Sequence, residues 1–293
     1  MDSLVLGIDA AWVPRNPSGI ALVKIAAQHK PKLLRVARTC EEFTSGRKID
    51  RSDWLTPPPA GEPINMREIL DATERYTGMQ PDVIVLDYPL SPRPTCGRRA
   101  ADNAISRKYG SRWASTHSAT PKQMGNLDLF GQLTKLGYQW LSAAEYKHSN
   151  RQIPCFLETY PHPVIIEMLK LEKRLCYKVA KRQRYWPNLS PDERWRNIVS
   201  ELDRLHSALA GRISGFDDDD KVPQAGVILC NGPKSKEAAL KGIEDVLDAV
   251  VCAWVGCEFL VGRAIPFGDK DSAIWIPQYG QKRSLLRLAD SIN

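Results

Sequence analysis

The sequence predicts an α/β fold, with a mixed sheet that is antiparallel over its first three strands, parallel afterwards, and flanked by helices. Three short apolar runs lie close together at the start of the chain, at residues 4–9, 20–25 and 32–37. Two further apolar runs, 82–87 and 154–158, are separated by segments with a helical pattern. Strands joined by short connections form an antiparallel meander, whereas strands separated by helices run parallel in one sheet.

The helices are predicted from apolar residues that recur every three to four positions. The segments with this pattern are 65–77, 126–136, 163–175, 192–210 and 236–261. The proline-rich segment 47–63 is expected to form a loop, and 88–125 a loop with a short helix over the site. Two short apolar runs remain, and we interpret 225–230 as a strand and 274–277 as a late edge strand or an extended arm.

The length and composition indicate one globular domain. Hydrophobic residues make up 43% and charged residues 26% of the 293 residues, which is an ordinary balance for a folded protein. No composition shift marks a domain boundary, so we expect a single domain over 1–293 with a helical insertion at roughly 163–222. No apolar run reaches the 18 residues that a membrane span needs, so we expect no span. We expect the N-terminal segment to be a strand and not a secretory signal, because its apolar part is short and no basic leader precedes it.

The cysteine content and the net charge indicate the cellular compartment and the possible binding partners. Seven cysteines without a CxxC pair favour free thiols in a reducing cytosol and disfavour a structural zinc site, so we expect a cytoplasmic protein. The net charge of +7 and a pI of about 9.0 permit nucleic-acid binding. Segment 170–184 is dense in Lys and Arg and holds a single acid, which is typical either of a phosphate-binding surface or of a solvated face.

Three of the predicted strands end in a carboxylate, at Asp9, Asp87 and Glu158. One such acid alone is usually a turn former or a helix cap. In an open α/β sheet, however, ligands bind just beyond the strand ends, where polar side chains gather. If the three acids converge, a cation must neutralise them or some of them must hold protons.

Two more acids, Asp245 and Asp248, stand three positions apart near the start of the predicted helix 244–261. They therefore share one face of its first turn. The helix dipole favours a carboxylate there, so capping accounts for Asp245. It accounts less well for Asp248, because the nine residues that follow Asp248 are apolar or glycine and a carboxylate is rarely buried without a partner or a metal. We predict that Asp248 is functional.

These motifs resemble those of the RNase H-like superfamily. The resemblance rests on GIDAA at Asp9, LDYPLS at Asp87 and DVLDAVVCAW at Asp245, the last of which is similar to the closing helix of Holliday-junction resolvases of the RuvC kind. More closely, the whole chain resembles the domain of unknown function 429 (DUF429) family, described as predicted nucleases. The matching segments are 7–10, 87–91, 99–102, 158–161, 177–182, 245–249 and 274–277.

The resemblance implies a divalent-metal-dependent nuclease that cleaves phosphodiester bonds with a metal-activated water. Asp9, Asp87 and Asp248 would be the catalytic acids and metal ligands, with Asp245 as an assisting ligand. Glu158 matches the ETYP-like motif of the family and is also predicted to be catalytic, although it matches no resolvase position. A site of carboxylates without His or Cys fits Mg²⁺ or Mn²⁺ rather than zinc.

The predicted partner is a nucleic acid, with DNA and RNA both left open. The residues predicted to contact substrate phosphates are basic, and they are Arg98, Arg99, Lys178 and Arg182. Trp113 and His117 are candidates for stacking on bases, with core or rim positions as the alternative. His162 is expected to form local hydrogen bonds, and the aspartate run 217–220 is expected to form a solvated loop.

Two other function classes stay open beside the nuclease. A phosphotransferase or ATPase of the actin and sugar-kinase class shares the RNase H-like core, but it needs glycine-rich turns beside the phosphates. Here the first connection, AAWVPRNPSG, holds one glycine. A catalytically silent RNase H-like binding protein is the second alternative. Resolvases act as dimers, so the resemblance also leaves a homodimer open.

Overall fold

In a computed structural model, the structure describes residues 2–13, 15–26, 29–93, 97–117, 127–147, 154–216, 221–231 and 236–279. The strands are β1 (Ser3–Asp9), β2 (Gly19–Ile25), β3 (Lys32–Ala37), β4 (Val83–Leu86), β5 (Gln139–Trp140), β6 (Cys155–Glu158), β7 (Ala264–Gly268) and β8 (Ala273–Pro277). The α-helices are α1 (Cys40–Thr44), α2 (Met66–Thr77), α3 (Ala100–Tyr109), α4 (Leu129–Lys135), α5 (Pro161–Leu169), α6 (Arg182–Tyr185), α7 (Pro191–Ala210), α8 (Gly226–Asn231) and α9 (Lys236–Leu260).

The strands form one mixed sheet in the order β3-β2-β1-β4-β6-β8-β7, with β5 paired to β6. The first three strands pair antiparallel. From β1 onward the pairs β1–β4, β4–β6 and β6–β8 are parallel, and β7 closes the sheet antiparallel to β8. Helices cover both faces, so the predicted fold class is confirmed.

Alternate residues of the central strands point into two different cores, as the pleat of a strand requires. Val5 and Val85 pack with the helices on one face, chiefly α9. Leu6 and Ile84 pack on the other face, where α2 and α4 lie. A strand that is buried on both faces reads as a continuous apolar run, which is why β1 and β4 are recognisable in the sequence.

Helix α9 crosses the sheet beside β1, β2 and β4 at unusually close range. A Cβ placed on Gly7 of β1 would lie 2.2 Å from the carbonyl oxygen of Ala249, and one on Gly19 of β2 would lie 2.1 Å from that of Asp245. These strand glycines therefore let the helix backbone approach the sheet.

Several sequence predictions were wrong in detail. Residues 225–230 form helix α8 rather than a strand, because a short apolar run fits either element. Segment 274–277 belongs to β8, which is not an edge strand, since the unpredicted strand β7 covers its outer side. Helix α5 ends at Leu169 and not at residue 175 as predicted, because the next residue, Lys170, adopts the left-handed conformation with φ of 53°.

Helix α9 begins at Lys236, well before Asp245 and Asp248. The prediction that both acids lie in its first turn was therefore wrong, and capping does not explain Asp245. Between β6 and α9 the described residues contain helices and no strand of the sheet, while the single domain with an insertion stays a prediction. Among the described residues, no helix is long and apolar enough to cross a membrane.

Candidate functional site

The carboxylates of Asp9 and Asp87 lie at the same edge of the sheet. Asp9 ends β1 and Asp87 follows β4, and these strands run parallel with Ile8 opposite Leu86. The Asp87 backbone N–H donates to the carbonyl of Ile8 at 2.9 Å, which continues the ladder by one residue. Parallel pairing thus brings together two acids that are 78 positions apart in sequence.

Helix α9 supplies Asp245 and Asp248 to the same place. Its close approach at Gly7 and Gly19 sets the backbone of residues 245–249 against the ends of β1 and β2. Asp248 is fully buried and Asp245 is 4% exposed. The sequence prediction that these acids converge with Asp9 therefore has a structural basis in the glycine contacts.

The pKa values of Asp87, Asp245 and Asp248 reflect how close these carboxylates lie to Asp9. Burial raises the pKa of Asp87 well above its ordinary value, and the negative charge of Asp9 raises it further. Burial also raises the pKa of Asp245 well above its ordinary value and that of Asp248 to about 6, and Asp9 again adds to both shifts. Burial and neighbouring negative charges both disfavour the ionised form of a carboxyl group. The raised pKa values therefore show that the positive charge near these aspartates does not balance their negative charge.

Two lysines offset part of the negative charge. The Lys178 ammonium binds Asp248 and lies 3.2 Å from Oε1 of Glu244. The Lys241 ammonium binds Asp245 and lies 3.1 Å from the same Glu244 oxygen. With Asp9 and Asp87, the cluster holds five carboxylates against two ammonium groups.

Glu244 and Asp248 are also held by the segment that precedes α6. Burial would raise the pKa of Glu244, but Lys178, Lys241 and the Val179 N–H, which donates at 2.7 Å, lower it overall. The Tyr177 hydroxyl donates to Oδ1 of Asp248 at 2.6 Å. Tyr177 is fully buried, so this hydrogen bond fixes the orientation of the carboxylate.

Glu158 occupies the neighbouring strand end but is bound to a buried arginine. Its carboxylate accepts two hydrogen bonds from the Arg99 guanidinium, at 2.5 and 2.6 Å, and one from the Leu90 N–H at 2.8 Å. Arg99 also pairs with Asp102 at 3.1 Å. Both Glu158 and Arg99 are therefore engaged in an internal network, although each was predicted to serve the substrate.

A cavity of about 150 Å³ is lined both by Asp87 and by the Glu158 network. Its lining residues include Trp12, Asp87, His117, Glu158 and Tyr160. The cavity places His117 beside Asp87, and its role in stacking on bases stays a prediction. A separate cavity of about 250 Å³ lies beside the edge strand β3 and is lined by none of the predicted site residues.

The other residues predicted to contact phosphate are engaged elsewhere. Arg98 donates to the carbonyls of Asp102 and Thr116 and thereby ties α3 to the loop that follows it. Arg182 pairs with Glu237 at 2.8 Å and lies 4.1 Å from the ring centre of Trp195. Of the four predicted residues, Lys178 alone forms ion pairs with the cluster of Asp9, Asp87, Glu244, Asp245 and Asp248.

The remaining sequence candidates fall in different places. His162 is buried between the rings of Tyr160 and Tyr177, at 5.5 Å from each, and its Nδ1 has no described partner. Burial lowers the pKa of His162 well below its usual range. Trp113 is 58% exposed, and the aspartate run 217–220 lies outside the described residues.

Sequence reasoning missed Glu244, Lys241 and Tyr177 as members of the cluster. Lys241, Glu244 and Asp248 recur every three to four residues along α9, so helical spacing places them on one face. That spacing was a usable signal for Lys241 and Glu244. No local signal identifies Tyr177, because it reaches Asp248 across 71 positions of sequence.

The oxygens of the clustered carboxylates are the type of ligand that a hard cation such as Mg²⁺ prefers. The Asp9 and Asp87 carboxylates form no hydrogen bond or ion pair with a described side chain. Within the part of the chain that the structure describes, no three His, Cys, Asp or Glu side chains already stand where they could jointly hold a metal ion. Lys178 and Lys241 occupy carboxylate oxygens of Asp248 and Asp245, so these two aspartates could ligate such an ion only if the lysine bound to them moved.

The sequence profile of a family described as Protein of unknown function (DUF429) matches residues 7–273. The match covers most of the chain, and it contains each of the five clustered carboxylates as well as Glu158. No curated protein and no solved structure gives a significant match to the chain.

Proposed function

We propose that this chain, which belongs to the DUF429 family, is a divalent-metal-dependent nuclease with an RNase H-like core. The observation that carries the proposal is the excess of negative charge at the strand ends, five carboxylates against two ammonium groups. Such an excess favours a bound cation, since the alternative is to hold protons on buried acids.

The topology supports the RNase H-like part of the proposal. The first three strands are antiparallel and the following ones parallel, and the closing helix α9 carries the D-x-x-D-A motif of Asp245 and Asp248. Asp9 thus ends the first strand, Asp87 directly follows the fourth strand and Asp248 lies on the last helix, and these are the elements with which the resemblance associates them.

In the proposed site, Asp9 and Asp87 would hold the cation, because their carboxylates have no hydrogen-bond or ion-pair partner among the described side chains. Asp248 and Asp245 would be further ligands if Lys178 and Lys241 no longer bound them. Mg²⁺ or Mn²⁺ bound there would activate water and offset the negative charge that develops on a phosphodiester. A Lys178 ammonium that no longer bound Asp248 would be available for a phosphate oxygen.

Tyr177 and Glu244 have positioning roles in this proposal. The Tyr177 hydroxyl donates to Asp248 and would keep that carboxylate oriented without Lys178. Glu244 is shared by both lysines and would keep them close to the site if they no longer bound the aspartates. The proposed substrate is a nucleic acid in the cytoplasm, and a homodimer stays a prediction from the resemblance.

A catalytically silent binding protein is the second candidate function. It is favoured by the fact that Lys178 and Lys241 already partner two of the aspartates. In that case the ammonium groups would replace the cation permanently. The two functions differ in whether a divalent ion can displace them.

Calorimetric titration of Mn²⁺ into the metal-free protein distinguishes the two functions. We expect saturable binding that is lost in Asp9→Asn, Asp87→Asn and Asp248→Asn and is retained in Asp71→Asn, a control at an exposed residue of α2. The same proteins are then assayed on branched, duplex and single-stranded DNA and RNA with Mg²⁺ or Mn²⁺. We expect cleavage by the wild type and the control, and at least a hundred-fold loss in the three site variants.

A protein that neither takes up Mn²⁺ nor cleaves any of these substrates would overturn the nuclease and leave the binding protein. Cleavage that persists in Asp87→Asn and Asp248→Asn would also overturn it, because the activity would then come from another site or a contaminant.

A further inference from the structure

The basic segment 170–184 brings two cations to the site that have no acidic partner among the described residues. Arg174 donates to the Tyr185 hydroxyl at 3.2 Å and lies 5.3 Å from the centre of that ring. Lys181 forms no ion pair with any described carboxylate. They differ in this from Lys178 and Arg182 in the same segment, which are paired with acids.

Arg174 and Lys181 lie beside the proposed nuclease site. Both belong to the segment that is bound to Asp248 through the Tyr177 hydroxyl and the Lys178 ammonium. Arg174 stands three residues before Tyr177, and the backbone N–H of Lys181 donates to the carbonyl of Lys178 at 2.9 Å. Each of the two cations is therefore within three residues of a side chain that contacts the carboxylate cluster.

The positive surface continues to an exposed aromatic ring. The Arg174 N–H donates to the carbonyl of Arg112 at 2.9 Å, which fixes the segment against the turn that presents Trp113. The Lys173 ammonium lies 4.4 Å from the Trp113 ring centre. The Trp113 side chain is exposed (58%), whereas the other described tryptophans are buried or half-buried.

The backbone of Trp113 indicates that the ring is held in place. Its φ of 63° lies in the left-handed region, where a bulky residue is rare. Such a conformation persists only when the surroundings enforce it, and it occurs often at functional sites. Thr116 and His117, three and four residues after Trp113, lie in the cavity wall.

We propose that Trp113, Lys173, Arg174 and Lys181, here called the basic strip, bind single-stranded nucleic acid and lead it to the carboxylate cluster. The proposal rests on the proposed nuclease function for the destination of the strand. Arg174 and Lys181 bind successive phosphates, and a base stacks on Trp113. A single strand fits and a duplex does not, because paired bases have no free face for the indole.

Binding is measured by fluorescence anisotropy with labelled 12-nucleotide DNA and RNA strands and the matching DNA duplex. The protein is kept in EDTA, so binding is separated from metal uptake and cleavage. We expect the single strands to bind at least ten-fold more tightly than the duplex. Trp113→Ala weakens single-strand binding by roughly five- to one-hundred-fold, the range for one stacked base, and Trp113→Phe restores most of it.

The cations are tested through the salt dependence of the same binding. Each phosphate contact on a single strand contributes about 0.7 to the slope of log K against log salt. We therefore expect Arg174→Gln with Lys181→Gln to reduce the slope by about 1.4, whereas Trp113→Ala leaves it unchanged. Tyr76→Ala and Lys135→Gln, an exposed aromatic residue and an exposed cation elsewhere, are the matched controls and change neither quantity.

Duplex that binds as tightly as single strands would overturn the proposal, and so would Trp113→Ala or the double variant with wild-type binding. Melting curves of each variant exclude unfolding as the cause of a loss. If the strip binds as expected but no strand is cleaved with Mn²⁺, the nuclease fails and the strip stands. If cleavage occurs and Trp113→Ala binds normally in EDTA, the strip fails and the nuclease stands.

Discussion

The Asp87 carboxyl group is less stable when ionised in the folded protein than in the unfolded chain, because burial and the charge of Asp9 both disfavour the ion. Asp245 and Asp248 share this property. A fold selected for stability alone would place apolar side chains there. Groups with raised pKa values that converge in one place are typical of functional sites.

We expect Asp87→Asn to stabilise the metal-free protein at pH 8 by on the order of 1 kcal/mol, the size of effect that removing one unfavourable charge produces. The folded pKa of Asp87 lies above the unfolded one, so the ionised carboxylate destabilises the fold above the folded pKa. This penalty declines as the pH falls from the folded pKa towards the unfolded one, so most of the gain should be lost at pH 4. Urea unfolding of both proteins at the two pH values measures it.

Asp71→Asn serves as the control for that comparison, since Asp71 is exposed on α2 and its substitution should leave stability unchanged at both pH values. A destabilised Asp87→Asn protein at pH 8 would contradict the argument. It would show that the Asp87 carboxylate has a stabilising partner.

Substitution of Glu158 distinguishes a metal ligand from a residue that only holds the Arg99 guanidinium in place. Glu158→Gln leaves the Arg99 guanidinium buried with Asp102 as its remaining carboxylate. Removing one partner of a buried pair destabilises by about 3–5 kcal/mol, and the remaining partner should reduce this to roughly 2–3 kcal/mol. We expect this loss in urea unfolding, with the calorimetric affinity for Mn²⁺ unchanged within about three-fold.

If Glu158→Gln instead kept its stability and lost Mn²⁺ binding, Glu158 would be a metal ligand. The catalytic role that the sequence predicted for it would then be favoured. Asp102→Asn is the matched variant, because it removes the other carboxylate on Arg99 and should leave Mn²⁺ binding equally unaffected.

Residue identities alone indicated Asp9, Asp87 and Asp248, since each ends or interrupts an apolar run. The partners of these acids were not predictable in the same way. Whether Arg99 faces solvent or Glu158 depends on packing between segments 59 positions apart. A basic residue near an acidic motif therefore suggests a phosphate contact in the sequence and can form a structural ion pair in the fold.

At the scale of elements, the approach of α9 to the sheet determines how closely the carboxylates gather. Glycines on both sides of the contact allow this approach. In α9 itself, a Cβ on Gly256 would lie 2.4 Å from a methyl carbon of Val5 and 3.1 Å from one of Val85. A Cβ on Gly242 of the same helix would meet nothing closer than 3.4 Å.

Gly256→Ala and Gly242→Ala should consequently change stability in opposite directions. Alanine in a helix interior is favoured over glycine by up to about 1 kcal/mol, and Gly242→Ala should gain part of this. The added methyl group of Gly256→Ala clashes with β1 and β4 and pushes the helix away from the sheet. Overpacking of this kind lowers stability by roughly 1–3 kcal/mol. Chemical denaturation measures both, and a gain in stability for Gly256→Ala would contradict the described helix–sheet contact.

Elements were predictable where one periodicity dominates. β1 and β4 are apolar on both faces, and α2 and α7 carry side-chain caps at Asn65 and Ser190. Strand β7 was missed because Pro266 interrupts it and it follows α9 almost directly. Its position depends on pairing with β8, which no local pattern encodes.

For the whole molecule, the site joins parts of the chain that are far apart in sequence. Asp9, Asp87 and Asp248 belong to β1, the end of β4 and α9, which pack against one another in the centre of the fold. A cation that binds these acids only in the folded state therefore stabilises the entire structure. The stabilisation follows from the affinity and the free concentration of the ion.

We expect Mn²⁺ at 100 times its dissociation constant to stabilise the protein by about 2.7 kcal/mol at pH 8, as mass action requires. At pH 6 and the same concentration the effect should be smaller. The Asp248 pKa is raised to about 6 and those of Asp87 and Asp245 are raised as well, so protons compete with the ion for the same oxygens.

Thermal melting over a series of Mn²⁺ concentrations at both pH values measures this dependence, with Asp9→Asn as the variant that should lose it and Asp71→Asn as the one that should keep it. Stabilisation that persists in Asp9→Asn would assign the ion to another acidic group, of which the aspartate run 217–220 is the first to substitute. Stabilisation that is lost in Asp9→Asn and weakened at pH 6 follows only if the ion and the protons share the carboxylate cluster, because an ion on solvated aspartates would compete with protons at a lower pH.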